Sequence, residues 1–294
     1  MLREVKGFNR VNNKLFPLGY LSKVTKGDDT RVISITSGKG GVGKTTITAN
    51  LGIALASGDT KVLLIDADVA MANLSLIFKL QNSPITLHEV LMGEANIEDA
   101  IYSGPQSLEI IPSGLSLESY RRVDPERLKH AVSTLENRYD YILLDVPAGI
   151  ERSTLAALAS AKQTLIITTP DSPSVADALK TKIVAQRLLS KPFGFISNMV
   201  YGEKGELRKN EISAILELPC YGIIPFDKEV RKTFVGKGKQ PIILRKPDSP
   251  AAKAIMLAAN KISGKKVEPE DIGRGFIFSK ILSLFKRKES EVKE

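Results

Sequence analysis

From Arg31 onward the chain alternates between two hydrophobic rhythms. Seven short runs are almost continuously apolar and rich in β-branched residues: VISITS (32–37), VLLID (62–66), LEIIP (108–112), YILLD (141–145), TLIITT (164–169), FGFISNM (193–199) and YGIIP (221–225). Runs of this length without polar alternation are strands buried on both faces, as in parallel sheets. Between them the apolar positions recur with helical spacing, at Lys44–Ser57, Pro125–Arg138, Ser174–Leu189, Lys209–Glu217 and Pro250–Ile262. Strand–helix alternation predicts an α/β fold, a doubly wound, mainly parallel sheet of about seven or eight strands flanked by helices. Such sheets bind ligands beyond the carboxyl ends of their strands, so the residues that end each run are the first place to look for chemistry.

The two ends of the chain follow other patterns. Residues 1–30 show no sustained period and close on the polar TKGDD, which makes them an N-terminal extension to a domain spanning 31–263. Within the extension, KLFPLGYL is apolar enough to dock on something. Residues 264–274, GKKVEPEDIGR, read as a linker. Helical periodicity then returns in 275–288. Phe276 leads an apolar set in which Ile277, Phe278, Ile281, Leu282, Leu284 and Phe285 share an arc of about 160°. Ser279, Lys280, Ser283, Lys286 and Arg287 take the other side, Lys288 follows, and 289–294 is a charged tail. A short helix with Phe and Leu on one face and Lys and Arg on the other lies in a bilayer interface and favours anionic lipid. Packing on the chain's own core, or docking on a partner protein, are the other uses of such a helix.

Composition narrows the classes. The net charge is +9, and part of it is local: 274–288 contains Arg274, Lys280, Lys286, Arg287 and Lys288 and no acid. One cysteine, Cys220 in an apolar context, excludes a disulfide framework or a multi-cysteine metal site within one chain. The two histidines, His88 and His130, fall in expected helices and make a His-based metal site a poor reading. No stretch of about 18 apolar residues exists to cross a membrane. The N-terminus lacks the apolar region of a signal peptide. The expected location is the cytoplasm, peripheral on the inner face of the cell membrane.

The chemistry gathers at the strand ends. GKGGVGKT, Gly38–Thr45, fits the phosphate-loop pattern G-x-x-x-x-G-K-[ST] between a β-branched strand and a helix. Backbone N–H groups of Gly40, Gly41, Val42, Gly43, Lys44, Thr45 and Thr46 would curl around phosphate oxygens, with Lys44 neutralising the β/γ-phosphates and Thr45 ligating Mg²⁺. Asp66 and Asp68 end the next strand and face the same crevice; one could support the Mg²⁺ shell and the other orient an attacking water. YILLD ends in Asp145, placed to hold Mg²⁺ through water, and Gly149 follows where an N–H could sense a γ-phosphate. Lys39 is a second lysine inside the loop. A cation there need not fold back on its own nucleotide; supplied to another chain it would act as an arginine finger does.

Taken together, KGGVGKTT, DADVAMANL and YILLDVPAG resemble the deviant Walker A ATPases of the MinD/ParA family, which are P-loop NTPases. Residues 84–128 and 173–188 resemble archaeal MinD-like proteins, and the resemblance covers about residues 31–260. It implies that Lys39 is the signature lysine crossing a dimer interface to the partner's ATP. It implies that Asp68 positions the hydrolytic water, which leaves Asp66 to the Mg²⁺ shell with Thr45 and Asp145, and that Asn198 contacts adenine. Pro225, Phe226 and Asp227 match the loop closing over the base, although Phe226 stands where relatives commonly carry an acid. The resemblance further implies ATP and Mg²⁺ as cofactors, slow hydrolysis stimulated by dimerisation and by a partner, an ATP-dependent homodimer, and an activator or cargo protein; the basic amphipathic tail adds an anionic membrane surface as partner. A ParA-like DNA-segregation ATPase and a regulator of appendage assembly are the alternatives. The lone cysteine excludes the iron–sulfur branches, which need two ligands per chain.

Overall fold

All seven apolar runs are strands in the computed structural model, which describes residues 30–116, 121–232 and 240–264, together with two short backbone strands before them. Those two, β1 (Phe8–Val11) and β2 (Lys14–Pro17), pair antiparallel from Phe8↔Pro17 to Val11↔Lys14. The remaining strands are β3 (Arg31–Thr36), β4 (Val62–Asp66), β5 (Tyr102–Ser103), β6 (Leu108–Ile111), β7 (Tyr141–Asp145), β8 (Gln163–Thr168), β9 (Lys191–Val200) and β10 (Cys220–Pro225). The helices, in chain order, are α1 (Lys44–Leu55), α2 (Asn73–Phe78), α3 (Leu87–Met92), α4 (Arg127–Ser133), α5 (Arg152–Ala159), α6 (Ser172–Arg187), α7 (Lys209–Leu216), α8 (Lys228–Arg231), α9 (Ile242–Arg245) and α10 (Pro250–Ser263).

The sheet has eight strands in the order β10-β9-β8-β3-β7-β4-β6-β5. Every neighbouring pair is parallel except β5 with β6. The expected doubly wound α/β sheet is therefore present. The chain leaves β3 for β4, returns to insert β7 between them, then builds outward on the far side of β3. That reversal opens a crevice at the carboxyl ends of β3, β4 and β7.

The continuous apolar runs follow from burial on both faces. Ile33, Ile35, Val62, Leu64, Leu143, Leu165 and Ile167 pack on one face against α1 and α10. Their neighbours in sequence, Val32, Leu63, Ile65, Ile142 and Leu144, pack on the other, against α3, α4 and α5. A third cluster joins Ile166 and Phe195 to Val175 and Ala178 of α6 and Ile212 and Leu216 of α7. Cys220, despite its apolar context in the sequence, is half-buried on the edge strand β10.

Two long-range polar ties fix the helices that follow the sheet. The Arg31 guanidinium donates to Gln163 Oε1 and, at 2.6 Å, to the Ile262 carbonyl near the end of α10. It also lies over the rings of Tyr141 and Phe193. Buried Asn50 in α1 donates to the Thr46 carbonyl at 2.7 Å and accepts from the Ile243 N–H of α9 at 3.0 Å. No helix among the described residues is long and apolar enough to cross a membrane. Residues 265–294, with nearly all of the expected linker and the whole amphipathic helix, lie outside the described residues.

Removing the Asn50 side chain leaves the buried Ile243 N–H without an acceptor. Asn50→Ala is expected to cost about 1–3 kcal/mol, lowering Tm by about 3–10 °C in thermal denaturation. An unchanged melt would show that the tie carries no net stability.

Candidate functional site

The loop between β3 and α1 turns on Gly43, whose φ of 84° lies in the left-handed region. A Cβ there would sit 2.4 Å from Asn198 Nδ2, so only glycine fits. Asn198, buried at the end of β9, uses that amide to donate to the Val42 carbonyl at 2.8 Å. Strand β9 thereby braces the loop from below. Among the described residues Gly40 and Gly41 have no neighbour where a Cβ would project, so they leave this side of the loop open.

Lys44 begins α1 and is buried. Its Nζ lies 2.9 Å from Asp145 Oδ1 and 3.5 Å from the Thr45 hydroxyl. Thr48 Oγ1 donates to the same Asp145 oxygen at 3.1 Å. The other oxygen, Oδ2, is buried without a partner among the described residues. Parallel register sets Asp66 of β4 directly beside Asp145 of β7. Both are 0% exposed, so two carboxylates share one dry crevice. Asp66 Oδ1 accepts from the Asp68 N–H at 3.3 Å and Oδ2 from the Leu74 N–H at 3.1 Å. Burial, reinforced by the charge of Asp145, pushes the Asp66 carboxyl well above the ordinary carboxylate range despite Lys44. Asp68 is half-buried, and burial raises it too; its Oδ1 accepts from the Met71 N–H at 3.1 Å.

This donor set fits a hard divalent cation beside a phosphate. It offers carboxylate oxygens, one of them orphaned, and the Thr45 hydroxyl. Among the described residues no group of three or more His, Cys, Asp or Glu forms a self-sufficient metal cage. A Mg²⁺ site built with phosphate oxygens and water has that character.

Lys39 has a different counter-charge. Its Nζ is half-exposed, 3.1 Å from Asp171 Oδ1. Asp171 caps α6, accepting from the Ser174 N–H at 2.9 Å and from the Thr169 hydroxyl. Partial burial works against this carboxylate, but the bonds from Thr169, Ser174 and Lys39 hold it below its usual range. Sequence reasoning passed over Asp171, although Asp-Ser-Pro after a strand is a helix-start pattern.

At the far end, Pro225 closes β10 and pairs with Val200 of β9. The exposed ring of Phe226 stacks on Tyr201, centroids 4.4 Å apart at 18°. Asp227 caps α8 through Oδ1, while its Oδ2 is buried and has no partner among the described residues. Asn198, Pro225, Phe226 and Asp227 thus lie on adjacent strand ends. Gly149, at φ 96°, leads from Asp145 into α5.

An acid whose folded pKa exceeds its unfolded value binds its proton more tightly when folded. The ligand-free protein is therefore expected to lose stability as pH climbs from the ordinary carboxylate range through the raised pKa of Asp66. Asp66→Asn removes that charge and is expected to raise the ligand-free Tm at neutral pH by about 2–6 °C. It should also flatten the Tm-versus-pH profile; a lower Tm would contradict the placement of Asp66 beside Asp145.

Comparison with known proteins agrees with this geometry. A family model described as an AAA domain matches residues 30–183, and one described as an NUBPL iron-transfer P-loop NTPase matches 127–263. An uncharacterized ATP-binding protein of Methanocaldococcus jannaschii is 44% identical over 258 residues, spanning 87% of this chain and 97% of the relative. The septum site-determining protein MinD of Pyrococcus horikoshii, solved with Mg-ADP, superposes with a TM-score of 0.76 at 35% identity, covering 79% of this chain and 96% of that one. MinD in the MinC:MinD complex of Aquifex aeolicus gives 0.71 at 34% identity, over 81% and 98%. On its sequence, its sheet and the architecture of its phosphate loop, the chain belongs to the ParA/MinD family of P-loop NTPases.

Proposed function

We propose that the chain is a Mg²⁺-dependent ATP hydrolase that works as a two-chain switch on the inner face of the cell membrane. The observation that carries this reading is the division of labour between two lysines of one loop. Lys44 is buried against Asp145 inside its own crevice, while Lys39 is half-exposed on Asp171 outside it.

With nucleotide bound, Lys44 would turn from Asp145 to the β/γ-phosphates. Thr45 would ligate Mg²⁺, with Asp66 and Asp145 supporting it, the latter through water. The metal would neutralise charge on the phosphates. Asp68 would orient the attacking water, and the Gly149 N–H would report on the γ-phosphate. Asn198, Pro225, Phe226 and Asp227 would enclose the base. Lys39 would exchange Asp171 for the nucleotide of a second chain, so hydrolysis would wait for the homodimer.

Dimerisation would pair two weak amphipathic tails, Phe276–Lys288, and give avidity for anionic lipid without new contacts. Hydrolysis would separate the chains and release both tails. The likeness to MinD supports a role in positioning or regulating a division-related or other surface-associated machine, and the MinC:MinD structure of a relative supports a protein activator or cargo.

Lys44→Ala is expected to abolish ATP binding in calorimetry. Lys39→Ala should bind ATP normally, stay monomeric in light scattering, and hydrolyse about 10³-fold or more slowly. A Lys39→Ala protein that dimerises and hydrolyses ATP at the wild-type rate would remove the two-chain reading. Deleting 275–294 is expected to abolish ATP-dependent co-sedimentation with anionic liposomes; sedimentation that survives the deletion would rule the tail out as anchor. Parallel sedimentation with nonspecific DNA tests the competing surface.

A further inference from the structure

His88 lies outside the phosphate crevice, yet it is bonded to the loop that carries Asp68. It sits in α3 and is 1% exposed. Its Nε2 lies 2.9 Å from the carbonyl oxygen of Val69, the residue that follows Asp68. A carbonyl can only accept, so Nε2 carries the proton. The other ring nitrogen, Nδ1, is buried with no hydrogen-bond partner among the described residues. Among those residues the imidazole makes one hydrogen bond, and that bond ends on the Asp68 loop.

The ring is held from behind. A Cβ on Gly114 would stand 2.6 Å from His88 Nδ1 and 3.0 Å from Thr86 Oγ1, so the imidazole leaves no room for a side chain at Gly114. The strand-end loop carrying Gly114 is itself fixed. Its Pro112 carbonyl accepts from the Leu87 N–H at 2.9 Å, and its Ser113 carbonyl accepts from the Ser75 hydroxyl at 2.9 Å. The start of α3 is locked by a capping box between Thr86 and Glu89.

On the loop itself, the Asp68 carbonyl and carboxylate both accept from the Met71 N–H. Asp66 holds the Asp68 and Leu74 N–H groups from the crevice side. Without His88 nothing described here fixes the Val69 carbonyl from the opposite side.

The geometry points to His88 as a positioning residue for Asp68: its Nε2–H holds the Val69 carbonyl, in the Val69–Ala70 peptide one residue past Asp68, and so sets the path of the loop from which that carboxylate meets the attacking water. The inference rests on the ATPase reading above for the role of Asp68, but the clamp on the loop is a separate, measurable property. His88 touches neither nucleotide nor water in this scheme, so it acts on turnover and not on binding.

The test uses the full chain with His88→Phe, which keeps a planar ring without the N–H, and His88→Gln, which restores an N–H donor. H88F is expected to lower kcat about tenfold or more, because small misplacements of a reacting group cost that much. KM for ATP should stay unchanged, and amide hydrogen exchange at Met71 and Asn73 should quicken. H88Q should recover both rate and protection. Wild-type kcat and exchange in H88F would overturn the inference, as would an H88Q protein no better than H88F. If the wild-type chain hydrolyses no ATP, the ATPase reading fails, and unchanged exchange in H88F would then overturn the clamp independently. Should H88F not fold, Gly114→Ala displaces the ring with His88 in place; slower turnover with faster Met71 exchange supports the inference, and wild-type values overturn it.

Discussion

Two carboxylates held side by side in a dry crevice are the constraint around which the fold is organised. Asp66 and Asp145 end neighbouring strands in exact register, fully buried. Like charges in such a place repel, and burial alone already disfavours them. The ion pair from Lys44 and the hydroxyl of Thr48 offset the charge on Asp145, while backbone N–H groups serve Asp66. The order of strands follows from the same need: inserting β7 between β3 and β4 brings both acids beside the loop that carries the lysine. An arrangement that is poor for stability and good for holding a cation with phosphate is the usual mark of a working site.

Much of this was legible in the chain because the sheet is buried on both faces. VLLID and YILLD occupy the same residues as the strands they predict, since no polar alternation blurs them. The phosphate loop was legible because its chemistry needs glycines and lysine at fixed spacing. The shorter elements were not. Helix α2 spans six residues, too few for a period to emerge. Strand β5 has two residues and exists only through its pairing with β6. The antiparallel pair near the N-terminus carries no sustained alternation. Asp171 and His88 escaped for another reason. One binds a lysine 132 positions away and the other a carbonyl 19 positions away, and neither partner is marked by local spacing. Asn198 was read for the base, yet the bond its amide makes within the chain is to the Val42 carbonyl.

The loop therefore has supports of different kinds. Lys44 looks inward to a strand-end acid, Lys39 outward to a helix cap, and Val42 downward to an asparagine on β9. These come from three separate strand ends, β7, β8 and β9, so the loop averages over the whole central sheet instead of resting on its own strand. Residues that brace it share no sequence neighbourhood, which is why a motif alone describes the cradle and not its mounting.

Arg31 gives the molecule a mechanical property. It opens β3, the strand that ends in the phosphate loop, and it grips the Ile262 carbonyl just before the chain leaves α10 at Gly264. That grip ties the end of β3 farthest from the phosphate loop to the last turn of α10. Parallel ladders to β7 and β8 hold the same strand on both sides, so the last helix is moored to the centre of the sheet and not to its edge.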